Sequence, residues 1–153
     1  MSDLSPIVDA YAPEEIARRV NTAGVAKAYL PLIPTVALAV LAGAFIAFGA
    51  ALYTVVMTKS GLGFGPERLL GGVAFSLGLV LVLVGGAELF TGNSLIVIAW
   101  ADGRIGIGLL LRNWALVYVG NLAGAMATAL LVHWSGLHDM ADGAIAATAI
   151  GIA

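Results

Sequence analysis

Residues 69–100 form an apolar run that is too long for one membrane crossing and carries the wrong residues in its middle. At ~1.5 Å rise per residue, a continuous helix over this stretch reaches about 48 Å, against a hydrocarbon core of ~30 Å. The run is interrupted by Gly85-Gly86-Ala87-Glu88-Leu89-Phe90-Thr91-Gly92-Asn93-Ser94. Glu88 is a carboxylate at membrane depth. Gly85, Gly86 and Gly92 each weaken a helix by roughly 1 kcal/mol relative to alanine. Thr91, Asn93 and Ser94 add side-chain donors and acceptors. The pattern predicts a broken helix: one half to about Gly85, a short non-helical loop, and a second half from about Ser94. Irregular backbone at that depth is tolerated only inside protein or against a water-filled cavity, so this stretch is expected to line a pore.

Composition makes the bilayer the solvent. Of the 153 residues, 61% are hydrophobic and 10% charged, with a mean hydropathy of +1.02. A soluble domain carries about 25% charge. The net charge of −2 says nothing about partners, and no basic run suggests a nucleic-acid partner. Cysteine is absent, which removes disulfides and thiolate chemistry. No cofactor or metal site is expected. Residues 1–27 lack the apolar core of a secretory signal, so the first span is expected to act as its own insertion signal.

Residues 1–9 are polar and expected to be mobile. Residues 12–20 read as an amphipathic helix, with Pro13 in its first turn and Glu14 and Glu15 at its positive end. Ile16, Val20 and Ala23 share a face by spacing, and Gly24 is expected to mark the helix end. The helix reads as lying at the membrane interface. Residues 1–30 thus form a cytoplasmic N-terminal segment, and residues 31–153 a transmembrane domain. The first span covers about 34–56, with Gly43 and Gly49 as close-packing positions. The next unbroken span covers about 109–134. Gly120 and Gly124 form a GxxxG pair within it, and Trp134 suits an interfacial belt. His133 and His138 are five apart, not the four that stack side chains on one helix face, and read as interfacial. Residues 143–153 would reach about 16 Å as a helix, which is too short to cross. With the N-terminus inside, Arg18, Arg19, Lys27, Arg104 and Arg112 fall on the cytoplasmic side and Lys59 and Arg68 outside, the split favoured for a multi-pass inner-membrane protein.

The break has its own chemistry. A half-helix N-terminus offers free N–H groups and partial positive charge, which suit a small anion. Ser94 or Asn93 is expected to cap the second half. The Thr91 hydroxyl suits donation to a passing carboxylate. Leu89 and Phe90 are apolar neighbours that narrow the path and make a charged permeant shed water. Glu88 is expected to point away from the path and accept hydrogen bonds from loop backbone, or to be protonated. Phe75 and Leu79 lie one turn apart, which by spacing alone reads as ordinary packing.

Ala87-Glu88-Leu89-Phe90-Thr91-Gly92-Asn93, preceded by Gly71-Gly72-Val73-Ala74-Phe75-Ser76-Leu77-Gly78-Leu79, resembles the signature of the formate/nitrite transporter family. Arg112-Asn113-Trp114-Ala115-Leu116-Val117-Tyr118-Val119-Gly120-Asn121 resembles that family as well. The resemblance implies an all-α, aquaporin-like helical bundle, a homopentamer in the lipid bilayer, and small anions such as formate and nitrite as permeants. It implies that Phe75, Leu79, Leu89, Phe90 and Thr91 line the path, the apolar ones forming constrictions and Thr91 lying on the loop between the half-helices. Glu88, Gly92, Asn93 and Ser94 would support that loop. The N-terminal helix would be a mobile element near the cytoplasmic pore mouth. The family has six spans in two inverted halves, and this chain matches the first half with its broken second helix. It is therefore expected to be the N-terminal portion of a longer protein, or the product of a gene cut short. The family's central pore histidine belongs to the second half, and neither His133 nor His138 occupies its motif. Two other readings remain open: a neutral-solute or hydrosulfide pore of the same fold, and a non-conducting membrane fragment that acts only in assembly. Nothing in the sequence marks an enzyme.

Overall fold

The computed structural model describes residues 11–153. The segment 1–9, read as mobile, lies outside the described residues. The described chain is helical throughout: α1 Pro13–Ala28, α2 Leu32–Met57, α3 Phe64–Val84, α4 Phe90–Asn93, a 3-10 turn Ser94–Ile96, α5 Val97–Ala101, α6 Ile107–Trp134, a 3-10 turn Leu137–Asp139, and α7 Ala144–Ile152. Three of these, α2, α3 and α6, are long and apolar enough to cross a membrane. The segments α4, 3-10 turn and α5 run on from one another as the second half of a helix whose first half is α3.

α2 is the spine. It packs along α3 and along α6, and these are the two largest helix contacts in the chain. Both depend on glycine. A Cβ on Gly78 of α3 would come within 2.8 Å of the Phe45 carbonyl oxygen, and one on Gly49 of α2 within 2.7 Å of the Phe75 carbonyl oxygen. On the other side, a Cβ on Gly43 would fall on the backbone of Asn121, and one on Gly124 on the carbonyl of Val40. The helices thus meet backbone to backbone, the close approach that small residues permit in apolar surroundings. Gly43, Gly49 and the GxxxG pair hold the packing positions that their spacing implied.

α1 differs from its expected form. It runs straight through Gly24 to Ala28, and it buries Asn21, Gly24 and Ala28 rather than the face marked by Ile16 and Ala23. Ile16 and Ala23 are exposed. The reason is a partner that local periodicity does not reveal. α1 packs on the 3-10 turn and α5, with Gly24 seated against Ala99 and Ile96. Ala28, Ile96, Ala99, Ile105 and Leu110 form a small buried cluster there. Asn21 adds a polar tie. It donates to Asp102 Oδ2 and accepts from Arg104 Nη1, which pins α1 to the connection that follows α5.

At the opposite end, the turn before α7 has three consecutive left-handed residues, Ala141 (φ 55°), Asp142 (φ 59°) and Gly143 (φ 77°). Lys59 Nζ donates to the Ala141 carbonyl oxygen at 2.9 Å and lies 3.6 Å from Asp142 Oδ2. The outward faces of the three long helices are apolar. Only 17 to 28% of each span's most apolar window is buried within the chain, so lipid or further protein must cover the rest.

The packing makes a contrast within α6 testable. Gly124→Ala forces a methyl group into the Val40 backbone and should lower stability by about 1–3 kcal/mol, the usual cost of overpacking. Gly108→Ala meets open space in the same helix and should leave stability unchanged or slightly raised. Thermal unfolding of both variants in detergent checks this.

Candidate functional site

α3 stops in a Schellman arrangement. Gly86 is left-handed (φ 59°). Its N–H donates to the Leu83 carbonyl at 3.3 Å, and the Ala87 N–H to the Val82 carbonyl at 2.9 Å. Glycine takes this position without Cβ strain, which is why the pair Gly85-Gly86 ends the helix where it does.

The restart corrects the sequence reading. The second half begins at Phe90 rather than about Ser94, so Thr91 and Gly92 lie in its first turn and not on the loop. Neither Asn93 nor Ser94 caps it. Leu89 occupies the cap position without a side-chain bond, and Ser94 Oγ donates to the Thr91 carbonyl at 2.7 Å. The capping group comes from another helix. The Phe90 N–H donates to Asn121 Oδ1 at 2.9 Å. The same side chain donates through Nδ2 to the Glu88 carbonyl at 2.9 Å and the Ala39 carbonyl at 2.8 Å. The Glu88 N–H finds the Leu38 carbonyl at 3.2 Å. One amide, halfway along α6, thus replaces hydrogen bonds that the break removes and ties the break to α2.

Glu88 is buried, and it is braced differently from expectation. Its carboxylate accepts from side chains, not loop backbone. Lys27 Nζ donates to Oε1 at 2.7 Å and Asn93 Nδ2 to Oε2 at 2.6 Å. Lys27 also donates to Asn93 Oδ1 at 3.1 Å. Asn93, fully buried, donates to Asn113 Oδ1 at 3.0 Å, and Asn113 Nδ2 donates back to the Lys27 carbonyl at 3.2 Å. Trp114 Nε1 donates to the Asn93 carbonyl at 3.0 Å. Among the described residues no buried side-chain nitrogen or oxygen lacks a partner. The carboxylate is therefore paired, and a cation from α1 neutralises it.

Above this clasp, Leu89 and Phe90 line an apolar hollow of about 290 Å³ with Gly43, Ile46, Tyr118, Asn121 and Leu122. Phe90 is fixed edge-on between Tyr118 (centroids 5.6 Å apart) and Trp114 (6.2 Å). The other path candidates do not border it. Phe75 and Leu79 sit part-exposed on α3, and Thr91 is exposed beside Gly92 on α4. Structure therefore brings Leu89 and Phe90 together, gathers Glu88 and Asn93 beneath them, and leaves Phe75, Leu79 and Thr91 open on its surface.

Lys27, Asn113 and Asn121 were missed as site residues. Lys27 figured only as a topology charge. Asn113 and Asn121 are two helical turns apart on the face that buries Val117 and Gly120, and polar amides on a buried helical stripe were the signal that pointed to them.

A chain with three spans and a helix interrupted partway along its neighbours, whose Glu88 and Phe90 amides are taken up by other helices, is a multi-pass membrane protein of the kind that lines a path with broken helices. A sequence model described as formate/nitrite transporter matches residues 14–153, and the chain belongs to the formate/nitrite transporter family. It is 44% identical over 136 residues to the formate channel FocA of Escherichia coli, covering 88% of this chain and 48% of that protein. A probable formate transporter of Methanothermobacter thermautotrophicus is 40% identical over 119 residues, covering 75% of this chain and 43% of that protein. A solved pentameric formate channel with formate bound superposes with a TM-score of 0.70 at 34% identity, covering 92% of this chain and 50% of that one. An ion channel of the same family gives 0.72 at 25% identity, covering 80% and 50%. The chain spans about half the length of the curated relatives it matches.

The clasp sets up a double-mutant test. Lys27→Met leaves the buried Glu88 carboxylate without its cation and should cost about 3 kcal/mol, at the low end for a broken buried pair because Lys27 keeps partial exposure. Adding Glu88→Gln removes the orphaned charge and should restore most of that loss. Denaturant unfolding in detergent measures both, and strictly additive losses would mean that the pair is not coupled.

Proposed function

We propose that this chain forms half the wall of a pore for small monovalent anions such as formate or nitrite, in a homopentamer in the cell's inner membrane. The observation that carries this is the separation of charges at the break. Among the described residues, the carboxylate at the break is buried and paired with Lys27, while Thr91 is exposed. An anion meeting this surface finds a hydroxyl donor and no bare negative charge.

Leu89, Phe90, Phe75 and Leu79 supply apolar constrictions on the path, and Thr91 donates to the permeant's oxygen. Such a narrowing strips water from an ion, so its barrier is lowered by donors placed beside it. Gly92, Asn93 and Ser94 hold the turn that presents Thr91. The permeant passes unchanged, with no covalent step. Residues 1–30 are cytoplasmic and residues 31–153 lie in the bilayer. Charge placement supports this orientation. α1 and the α5–α6 connection are tied at one end, which carries Arg18, Arg19, Lys27, Arg104 and Arg112. Lys59 is tied to the connection before α7, at the other end.

Flux through liposomes containing the native assembly tests the reading. Formate and nitrite should pass and glycerol should not; fast glycerol without anion flux would replace an anion pore with a neutral-solute pore. Thr91→Val should lower anion flux with assembly intact, and unchanged flux would remove Thr91 from the path. Leu79→Ala should raise flux or loosen selectivity. Lower stability with normal selectivity would mean that Leu79 only packs.

A further inference from the structure

His133 and His138 stand five residues apart, a spacing that separates them on a helix. The chain does not stay helical between them. α6 ends at Trp134, Gly136 turns left-handed (φ 74°), and His138 follows in the 3-10 turn Leu137–Asp139. The turn is closed by the Gly136 N–H on the His133 carbonyl at 3.3 Å and the Asp139 N–H on the Gly136 carbonyl at 3.1 Å. It folds the second imidazole back onto the first, leaving the ring centroids 5.9 Å apart and tilted by 45°. Among the described residues, neither ring is hydrogen-bonded to another side chain or to backbone, and His133 is exposed to solvent.

We propose that His133 and His138 form a two-imidazole binding site for a borderline divalent cation, Cu²⁺ or Zn²⁺, at the end of the bundle opposite α1. Metal–nitrogen bonds of about 2.0–2.1 Å place each ring centroid about 3.2 Å from a shared ion, so two ligating rings lie at most about 6.4 Å apart. The observed separation falls inside that limit. A tetrahedral angle corresponds to about 5.2 Å, a shift of under about 1 Å that an exposed ring makes freely. Water completes the coordination, since the described residues hold no group of three or more ligating side chains. Imidazole selects Cu²⁺ and Zn²⁺ over the alkaline-earth ions, and Cu²⁺ binds most tightly of the first-row series. The bound ion would staple the end of α6 to the connection that carries Ala141, whose carbonyl holds Lys59. This site is independent of the anion path.

The test is Cu²⁺ titration of the untagged protein in detergent, followed by electron paramagnetic resonance. One Cu²⁺ per chain with nitrogen couplings from two imidazoles is expected. His133→Ala and His138→Ala should each reduce this to one imidazole and weaken binding at least about tenfold, a scale reached even when an outer partner of a metal ligand is lost. Unchanged binding in the double variant, or no retained Cu²⁺ in the parent protein, overturns the proposal. A second readout needs no variant: Zn²⁺ added to protein labelled at histidine should shift both ring signals in parallel, and a shift of one or neither overturns it.

Discussion

Everything around the break depends on one requirement: a backbone group released from a helix in apolar surroundings must find another partner, because no water is there to take its place. Asn121 meets that requirement with a single side chain that accepts from Phe90 and donates to Glu88 and Ala39. An amide is suited to this because it offers a donor and an acceptor a short distance apart. Its position halfway along α6 fixes where the interruption sits relative to α2. The glycines then follow from the same requirement. Asn121 reaches Ala39 only because α6 lies against α2 at Gly43, with no side chain between them.

The clasp beneath the break answers a second requirement, which is electrostatic. A carboxylate away from water is tolerated when a cation and hydrogen-bond donors surround it. Glu88 receives both, from Lys27 and Asn93. This gives α1 a part in the site. Its last turn supplies the neutralising charge, and Asn21, two turns earlier, anchors it to Asp102 and Arg104. The N-terminal helix is thereby part of the site's electrostatics.

Much of this was legible in the sequence where the cause is local. Gly85-Gly86 marked the end of α3, because a left-handed residue is needed there and glycine provides it. The spans of α2 and α6 followed from runs of apolar residues, and the packing glycines from their spacing. The family resemblance rested on contiguous motifs and held for fold and class. Causes that act across the chain were not legible. The second half-helix begins at Phe90 because an asparagine far along the chain caps it, so Ser94 and Asn93 looked like better starts than they are. Lys27 carried no sign of its distant partner. The buried face of α1 was misjudged because its partner, α5, lies beyond two spans. The five-residue interval between His133 and His138 was judged by helical spacing alone, whereas α6 ends at Trp134 and Gly136 turns the chain back.

The backbone-to-backbone contact of α2 with both neighbours has a mechanical corollary. Where side chains separate two helices, a substitution is absorbed by repacking. Where carbonyls and glycines touch directly, there is nothing soft to yield, and the three helices behave as one rigid plate. Leu89 and Phe90 project from the interrupted edge of that plate into a hollow bordered largely by apolar side chains. Leu89 and Phe90 thus stand on a frame that does not yield, Leu89 seated against the buried cluster of Ala42, Val82 and Ala87 and Phe90 held between Tyr118 and Trp114.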